Sequence, residues 1–486
     1  METQIFLYSV YEIELNLELD NVVFTSPEDK QYIVNTFMKS NGKLSARCYI
    51  DEVGTWSYTL GETVVNIFCT RPSLKLHGKI KACGKNNRKL MYEDGTPYYM
   101  LGFECDWLFH IDDKDEQIPK ATVLLNDIAQ NKFNMVICNL WANDVKWKET
   151  GGRGTCYDFS NPFETPYQRN LDGTMNYDEL NLKFFDRVDK IFNLANELNI
   201  VIHLMIYVWN KCVPWPKLFS KQDNAMFKHV IDRYAAYPNL IWDISKEALN
   251  SASGEQIKEK CNIARELDPF GTMLTVHDDR FCRQNPYAIN IHSIQCWDYG
   301  IHEIMLEIYN NAKPNPLLNI EHGGYERGVY DVFMGSYDDP YICLERNYII
   351  AFAGAYTSYY WQNAAWSIVI WNYHELLPSV RPNYHYYRNL YNYMEYMNYE
   401  NAYPAPAHSP CQMCMDDGNY YYYLKLRGTR CVTLNNKNEH IDAQTLEWYN
   451  PLTNEFANTY TEEFKGYHAM PCPFNQEFSI LRIKHN

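Results

Sequence analysis

No stretch of the 486-residue chain approaches the ~18 uninterrupted apolar residues of a membrane span, and the longest candidate, residues 200–209, is broken by His203. Positive charge is also scarce. The 44 Lys and Arg face 60 Asp and Glu, and the formal net charge of -16 repels phosphate backbones and anionic membrane surfaces. Neither nucleic acid nor a membrane is expected as a partner. The opening Met1-Glu2-Thr3-Gln4 lacks the basic region, apolar run and cleavage site of a secretory signal, so cytoplasmic residence is expected. The 15 Cys are odd in number and scattered singly, with Cys48, Cys69, Cys105, Cys138, Cys296 and Cys343 in apolar or strand-like surroundings, as expected of free thiols in a reducing compartment.

Several motifs are begun and left incomplete. Cys411-Gln412-Met413-Cys414 has only His408 nearby where zinc would need a second pair of ligands. His302-Glu303 opens like a metalloprotease helix, but position 306 is Leu instead of the second His. Gly151-Gly152-Arg153-Gly154 lacks the Lys-Ser/Thr of a phosphate loop, and His322-Gly323-Gly324 has no accompanying Gly-x-Ser-x-Gly turn. No metal and no cofactor are expected. No repeat of solenoid or propeller length is evident.

Apolar residues make up 46% of the chain, enough to bury a large core, and the 41 Tyr and 12 Trp suit both packing and the apolar faces of sugar rings. Short alternating runs up to about residue 70 predict an N-terminal β-sandwich over 1–76. From residue 98 apolar strands alternate with amphipathic helical stretches. Eight strands are predicted, at 98–103, 134–140, 201–208, 240–244, 273–277, 288–294, 317–320 and 355–361, enough to close an α/β (β/α)8 TIM barrel over 77–398. The Pro-rich segment Tyr403-Pro404-Ala405-Pro406 ends the helical pattern, and strand-like runs resume in a second β-sandwich over 399–486.

Active sites of such barrels lie at the C-terminal ends of the strands. The polar residues there are Glu104 and Asp106, Trp141, Trp209, Lys246 and Glu247, His277, His292, Glu321 and His322, and Trp361. Breaking an acetal needs a proton for the departing oxygen and a carboxylate to meet the oxocarbenium-like carbon, two carboxyl groups in different environments. Glu247 after strand four and Glu321 after strand seven fill those positions. A single Glu at a strand end is more often a salt-bridge partner, and it is the pair on opposite strands that favours chemistry. A retaining enzyme holds its pair about 5 to 5.5 Å apart, an inverting one farther. For Trp141, Trp209 and Trp361, core packing and a sugar-binding wall are both open, as are a satisfied core His and a site His for His292.

This arrangement resembles the clan A, cellulase-like glycoside hydrolases. Within them, Glu93-Asp94-Gly95-Thr96-Pro97-Tyr98-Tyr99, Arg233-Tyr234-Ala235-Ala236-Tyr237-Pro238-Asn239 and Asn319-Ile320-Glu321-His322-Gly323-Gly324-Tyr325 look like the apiosidase-like barrels of gut-bacterial polysaccharide degradation. Ala46-Arg47 through Gly54-Thr55-Trp56 resembles the immunoglobulin-like domain that precedes such barrels, and Trp448-Tyr449-Asn450-Pro451 resembles their C-terminal sandwich. The resemblance implies Glu247 as acid/base, Glu321 as nucleophile, His292 as the strand-six residue facing the nucleophile, and Trp361 as the floor of the first sugar subsite. Many clan members carry Asn before the acid/base to bond the sugar 2-hydroxyl, whereas this chain has Lys246.

The expectation is a retaining glycosidase acting on plant- or gut-derived oligosaccharides or glycosides. Its rivals are a catalytically silent carbohydrate-binding barrel and a lyase or isomerase using Lys246 or His277 as base. Sugar, anomer, linkage and exo or endo action are not encoded in the motifs, and a homo-oligomer is compatible with the sequence.

Overall fold

The structure is a computed structural model and describes residues 4–16, 18–70, 75–113, 115–143, 162–209, 213–330, 336–365, 369–407, 409, 412–474 and 478–485. Its centre is an eight-stranded parallel sheet of Leu101–Glu104, Met135–Asn139, Val201–Val208, Leu240–Lys246, Leu274–His277, His292–Gln295, Leu317–Glu321 and Tyr356–Tyr359, hereafter strands one to eight. Strand one pairs with both strand two and strand eight. The remaining seam, between strands five and six, is closed by bonds from Asn290 N to Leu274 O (2.7 Å), Leu274 N to Asn290 Oδ1 (3.0 Å) and Thr275 Oγ1 to Ile291 O (2.7 Å). The ring is therefore a (β/α)8 barrel.

Strands run as continuous apolar stretches because both faces are covered: all of Val201–Val208 and all of Leu240–Lys246 are buried. The helices that cover them begin where sequence chemistry allows. Asn181 accepts the Phe184 N–H ahead of Leu182–Glu197, and Ser253 with Gln256 forms a capping box ahead of Gly254–Leu267. Strand six begins at His292, later than the predicted residue 288. The Pro286 and Ile289 carbonyls are taken by the Asn315 side chain instead of a strand neighbour.

Sheets that are antiparallel, apart from the parallel pairing of Gln4–Phe6 with Thr63–Thr70, flank the barrel. On the N-terminal side a five-stranded sheet (Gln4–Phe6, Thr63–Thr70, Gly54–Leu60, Asn21–Thr25, Gln31–Asn35) and a three-stranded one (Val10–Leu15, Leu44–Tyr49, Phe37–Met38) share a core that includes Ile13, Phe24, Val34, Cys48 and Trp56. On the C-terminal side a six-stranded and a two-stranded sheet enclose Cys414, Val432, Leu434, Trp448 and Leu481.

Both attachments use the resemblance motifs. Arg47 grips Asp189 of the barrel helix Leu182–Glu197 through Nη2 (2.5 Å) and Nη1 (3.1 Å), and its Nη1 also reaches the Arg233 carbonyl at 2.9 Å. Arg233 grips the same carboxylate through Nε and Nη2 at 2.9 and 2.8 Å. Burial alone would raise the Asp189 pKa, but the two guanidiniums outweigh it and hold it down at about 2. At the other end Tyr449 stacks on Tyr393 of the helix Tyr384–Tyr396, ring centroids 4.2 Å apart, and Asn389 bonds the Pro451 carbonyl. Among the described residues no helix is long and apolar enough to cross a membrane.

Candidate active site

Glu321 closes strand seven, buried, with a donor or cation at each oxygen. The Tyr325 hydroxyl donates to Oε1 at 2.6 Å, Lys246 Nζ stands 3.1 Å from Oε2, and His277 Nε2 lies 3.8 Å from the same oxygen. Burial works against the Lys246 charge, but the fields of Glu321, Asp106, Glu104 and Glu247 together exceed it, so the ammonium pKa is raised and the group stays charged. His277 is the opposite case: burial and then Lys246 push it down to about 3, leaving a neutral imidazole.

Neither Lys246 nor Glu321 reaches this point by plain strand alternation. On strand four Trp242 faces outward, its Nε1 bonded to Asp268 beyond the helix Gly254–Leu267, and Lys246 would share that face. Between Asp243↔Thr275 and Lys246↔His277, however, strand four carries one extra residue, which turns Lys246 inward. The Asp243 carboxylate accepts from Ser245 N (3.2 Å) and His277 N (3.0 Å) at this irregularity and from His203 at 2.8 Å. On strand seven Leu317 faces the helix Ile301–Asn311, and the register passes from Ile294↔Asn319 to Gln295↔Glu321. Here too one extra residue precedes the side chain that must turn in.

Glu247 follows directly on Lys246 with φ 50 and ψ 46, the left-handed region that a Glu occupies only at a cost of about 1–2 kcal/mol. Its N–H is anchored to the His277 carbonyl at 2.8 Å, and its half-buried carboxylate accepts from Asn250 at 3.2 Å. Glu321 is thus enclosed and Glu247 only half-buried.

Glu104 ends strand one and Asp106 follows it. Burial first, and then the neighbouring Asp106 charge, raise the Glu104 pKa well above the usual carboxylate range. Several buried polar groups at the same rim find no protein hydrogen-bond partner among the described residues: the Asn139 amide, both His277 ring nitrogens and the Tyr360 hydroxyl. Natively folded proteins leave few such groups, so a cluster of them fits a polar ligand with many hydroxyls.

The expected site residues divide into two groups. Glu104, Asp106, Lys246, His277, Glu247 and Glu321 are neighbours, each acting on at least one other. Trp209 stands at the rim, half-buried, stacked on Tyr207 at 5.6 Å with its Nε1 bonded to Ser245. Trp141 and Trp361 are fully buried, edge-on to Trp215 and Tyr373 respectively. They form the wall behind the rim and offer no open face.

Two histidines are corrected. His292 begins strand six instead of ending it, and its Nε2 pairs with Asp279 at 2.9 Å. It shares the outward face of Ile294, which packs against Ile301 and Met305, so it does not point toward Glu321. The residue facing Glu321 is Tyr325, four positions along the same loop. His322 spends both ring nitrogens on backbone: Nε2 donates to Ser358 O at 2.8 Å and Nδ1 accepts from Gly324 N at 3.2 Å. Burial pushes it down to about 4, so it orders the loop as a neutral ring.

Tyr325, Tyr360, Asp243 and Trp297 were not singled out from the sequence. Tyr325 lies inside a motif that was recognised, and its place after two glycines was the available signal. Among the described residues no group of three or more His, Cys, Asp or Glu is disposed to hold a metal. Gly151 to Gly154, His408 and Cys411 lie outside the described residues.

A closed parallel barrel with carboxylates, imidazole and indoles gathered at the C-terminal strand ends defines the class: a (β/α)8 domain built like a glycosidase. The family model described as "Apiosidase-like, catalytic domain" matches residues 84–372, and the chain belongs to that family. No curated protein is matched by the chain. Among solved structures, a provisionally assigned glycoside hydrolase from Bacteroides vulgatus ATCC 8482 is similar over 100% of both chains, with a TM-score of 0.73 and 14% identity. A glycoside hydrolase of family 5 from the same organism is similar over 84% of this chain and 94% of its own, with a TM-score of 0.63 and 16% identity. At these identities the likeness is one of fold.

Proposed function

We propose that the protein is a retaining glycoside hydrolase acting on oligosaccharides or glycosides, with Glu321 as nucleophile and Glu247 as acid/base. The observation that carries this reading is the contrast between the two carboxyl groups. Glu321 is enclosed, with Lys246 and the Tyr325 hydroxyl facing its oxygens, as suits a group that attacks as an anion. Glu247 is half-open at the rim, as suits a group that exchanges its proton with solvent.

In the first step Glu247 gives its proton to the glycosidic oxygen while Glu321 attacks the anomeric carbon. The bond to the leaving group breaks and a glycosyl ester forms. In the second step Glu247 takes a proton from water, the resulting hydroxide attacks the same carbon, and Glu321 departs as carboxylate with net retention. Lys246 and Tyr325 hold the Glu321 carboxylate in place. Glu104, Asn139 and Tyr360 are proposed to bond sugar hydroxyls.

The charged state of Lys246 opposes its use as the base of a lyase or isomerase. The free, buried Cys48, Cys105, Cys138 and Cys261 support residence in a reducing compartment, where substrates are imported fragments.

The test is a panel of 4-nitrophenyl glycosides of common pentoses and hexoses, furanosides included. Release from at least one is expected, abolished in Glu321→Ala and in Glu247→Gln. Proton NMR should find the first sugar released in the substrate's own anomeric form. Sugar binding without release on the whole panel would instead favour a silent barrel, and product without solvent oxygen from heavy-oxygen water would favour a lyase or isomerase.

A further inference from the structure

Trp297 stands two residues beyond the end of strand six, on the same rim as Glu321, and 40% of its surface is open. The rings behind it are sealed: Tyr325, which it touches, and Tyr360, which touches Tyr325, are each at most 2% exposed. The indole is held in place by specific contacts. Its ring meets the Tyr325 ring edge-on, centroids 5.1 Å apart at 72°, and the Tyr325 hydroxyl is the group bonded to Glu321. Gly323 makes room for the indole. With φ at 70°, it occupies a conformation that side-chain-bearing residues rarely adopt, and a Cβ there would fall 3.0 Å from the indole Cγ. A large apolar ring is thus fixed, half in water, one aromatic side chain away from the carboxylate.

Resting on the glycosidase reading above, we infer that Trp297 is the platform for the leaving-group ring, the part of the substrate beyond the bond that is cut. The ring attached to Glu321 lies among the buried polar groups of Glu104, Asn139, His277 and Tyr360, which suit hydroxyls on all sides. The next ring outward meets the rim, where Trp297 offers a fixed apolar face and a stacking partner needs only one apolar face of its own. That face belongs either to a second sugar or to an aromatic aglycone. Leaving-group preference would then reside in Trp297 and sugar identity in the interior.

The experiment compares wild type, Trp297→Ala and Trp297→Phe on three probes that share the sugar selected by the panel: the 4-nitrophenyl glycoside, a disaccharide with glucose as leaving group, and the methyl glycoside as competitive inhibitor. Tyr287→Ala serves as control, since Tyr287 is a still more exposed ring, 83% open, but precedes strand six at the opposite end of the barrel. In Trp297→Ala, kcat/KM for the aryl glycoside or the disaccharide should fall roughly tenfold or more, mainly through KM, while the methyl glycoside Ki stays within about twofold. Whichever substrate loses more identifies the kind of ring. Trp297→Phe should recover most of the loss, and Tyr287→Ala should match wild type. Unchanged kcat/KM on both substrates, or a methyl glycoside Ki that rises in parallel, would overturn the assignment. If no glycoside is hydrolysed, the glycosidase reading fails by itself, and saturation-transfer NMR still tests the platform: aryl protons should receive saturation from wild type and lose it in Trp297→Ala, and equal transfer to both would refute it.

Discussion

Lys246 Nζ lies 3.1 Å from Glu321 Oε2 across the barrel mouth, and each side chain is turned inward by one extra residue in its own strand. A buried pair of this kind gains little over an apolar pair, but removing one partner leaves an uncompensated charge. It therefore reads as a device for holding one carboxylate in one place in a defined state.

Lys246→Met should lower kcat/KM by about a hundredfold or more while the protein still folds. Glu321 is the largest of the charges that keep Lys246 protonated, so the variant loses the cation that faces the Glu321 carboxylate. Steady-state kinetics and urea unfolding of both proteins check this, and an unchanged kcat/KM in a folded variant would separate Lys246 from the chemistry.

Tyr325→Phe removes the 2.6 Å bond to Glu321 and leaves the ring against Trp297. A hydrogen bond to a charged group is worth roughly 1.5–3 kcal/mol, so kcat should fall about 10- to 100-fold with KM within about twofold. Steady-state kinetics on the preferred aryl glycoside decides the matter.

Glu326 gives a pH-dependent stability of unusual sign. Burial pushes its carboxyl up to about 7, against a bond from Asn383 at 2.7 Å. A raised acid stabilises fully below its unfolded pKa, near 4.5, and loses that contribution as pH rises through about 7. Glu326→Gln imitates the protonated form, so at pH 8 the variant should be more stable than wild type by roughly 2–3 kcal/mol and equal to it near pH 4. His110, His229 and His277, held down at about 3, give the opposite slope between there and 6.5. The readout is accordingly the difference between the two denaturation curves across pH.

Asp189→Asn would leave Arg47 and Arg233 buried around a neutral amide and should cost about 3–5 kcal/mol in urea unfolding. The Asp189 pKa is lowered to about 2, so this contribution is present above about 3.8 and is lost as pH falls through about 2. An equal stability of variant and wild type at pH 7 would contradict the role given to this junction.

What the sequence disclosed followed from periodicity. The eight strands could be read because both-face burial leaves uninterrupted apolar runs, as in Val201–Val208, and polar residues after those runs fall on the active rim. What escaped depended on register. Strict alternation turns Lys246 and Glu321 toward the helices, and only the extra residues in strands four and seven bring them together. His292 failed for a related reason, since Asn315 delays the start of strand six and leaves the imidazole on the outer face. Arg47 and Arg233 belonged to motifs noticed for their resemblance, and their work, shared possession of Asp189, lies between segments far apart in the chain.

The nucleophile is tested most directly by trapping it. The 2-deoxy-2-fluoro glycoside of the preferred sugar, with a good leaving group, should form the ester faster than it is hydrolysed, and peptide mass analysis should find one sugar on the peptide that carries Glu321. Turnover of that sugar's aryl glycoside with no adduct, or an adduct on Glu247, would contradict the assignment.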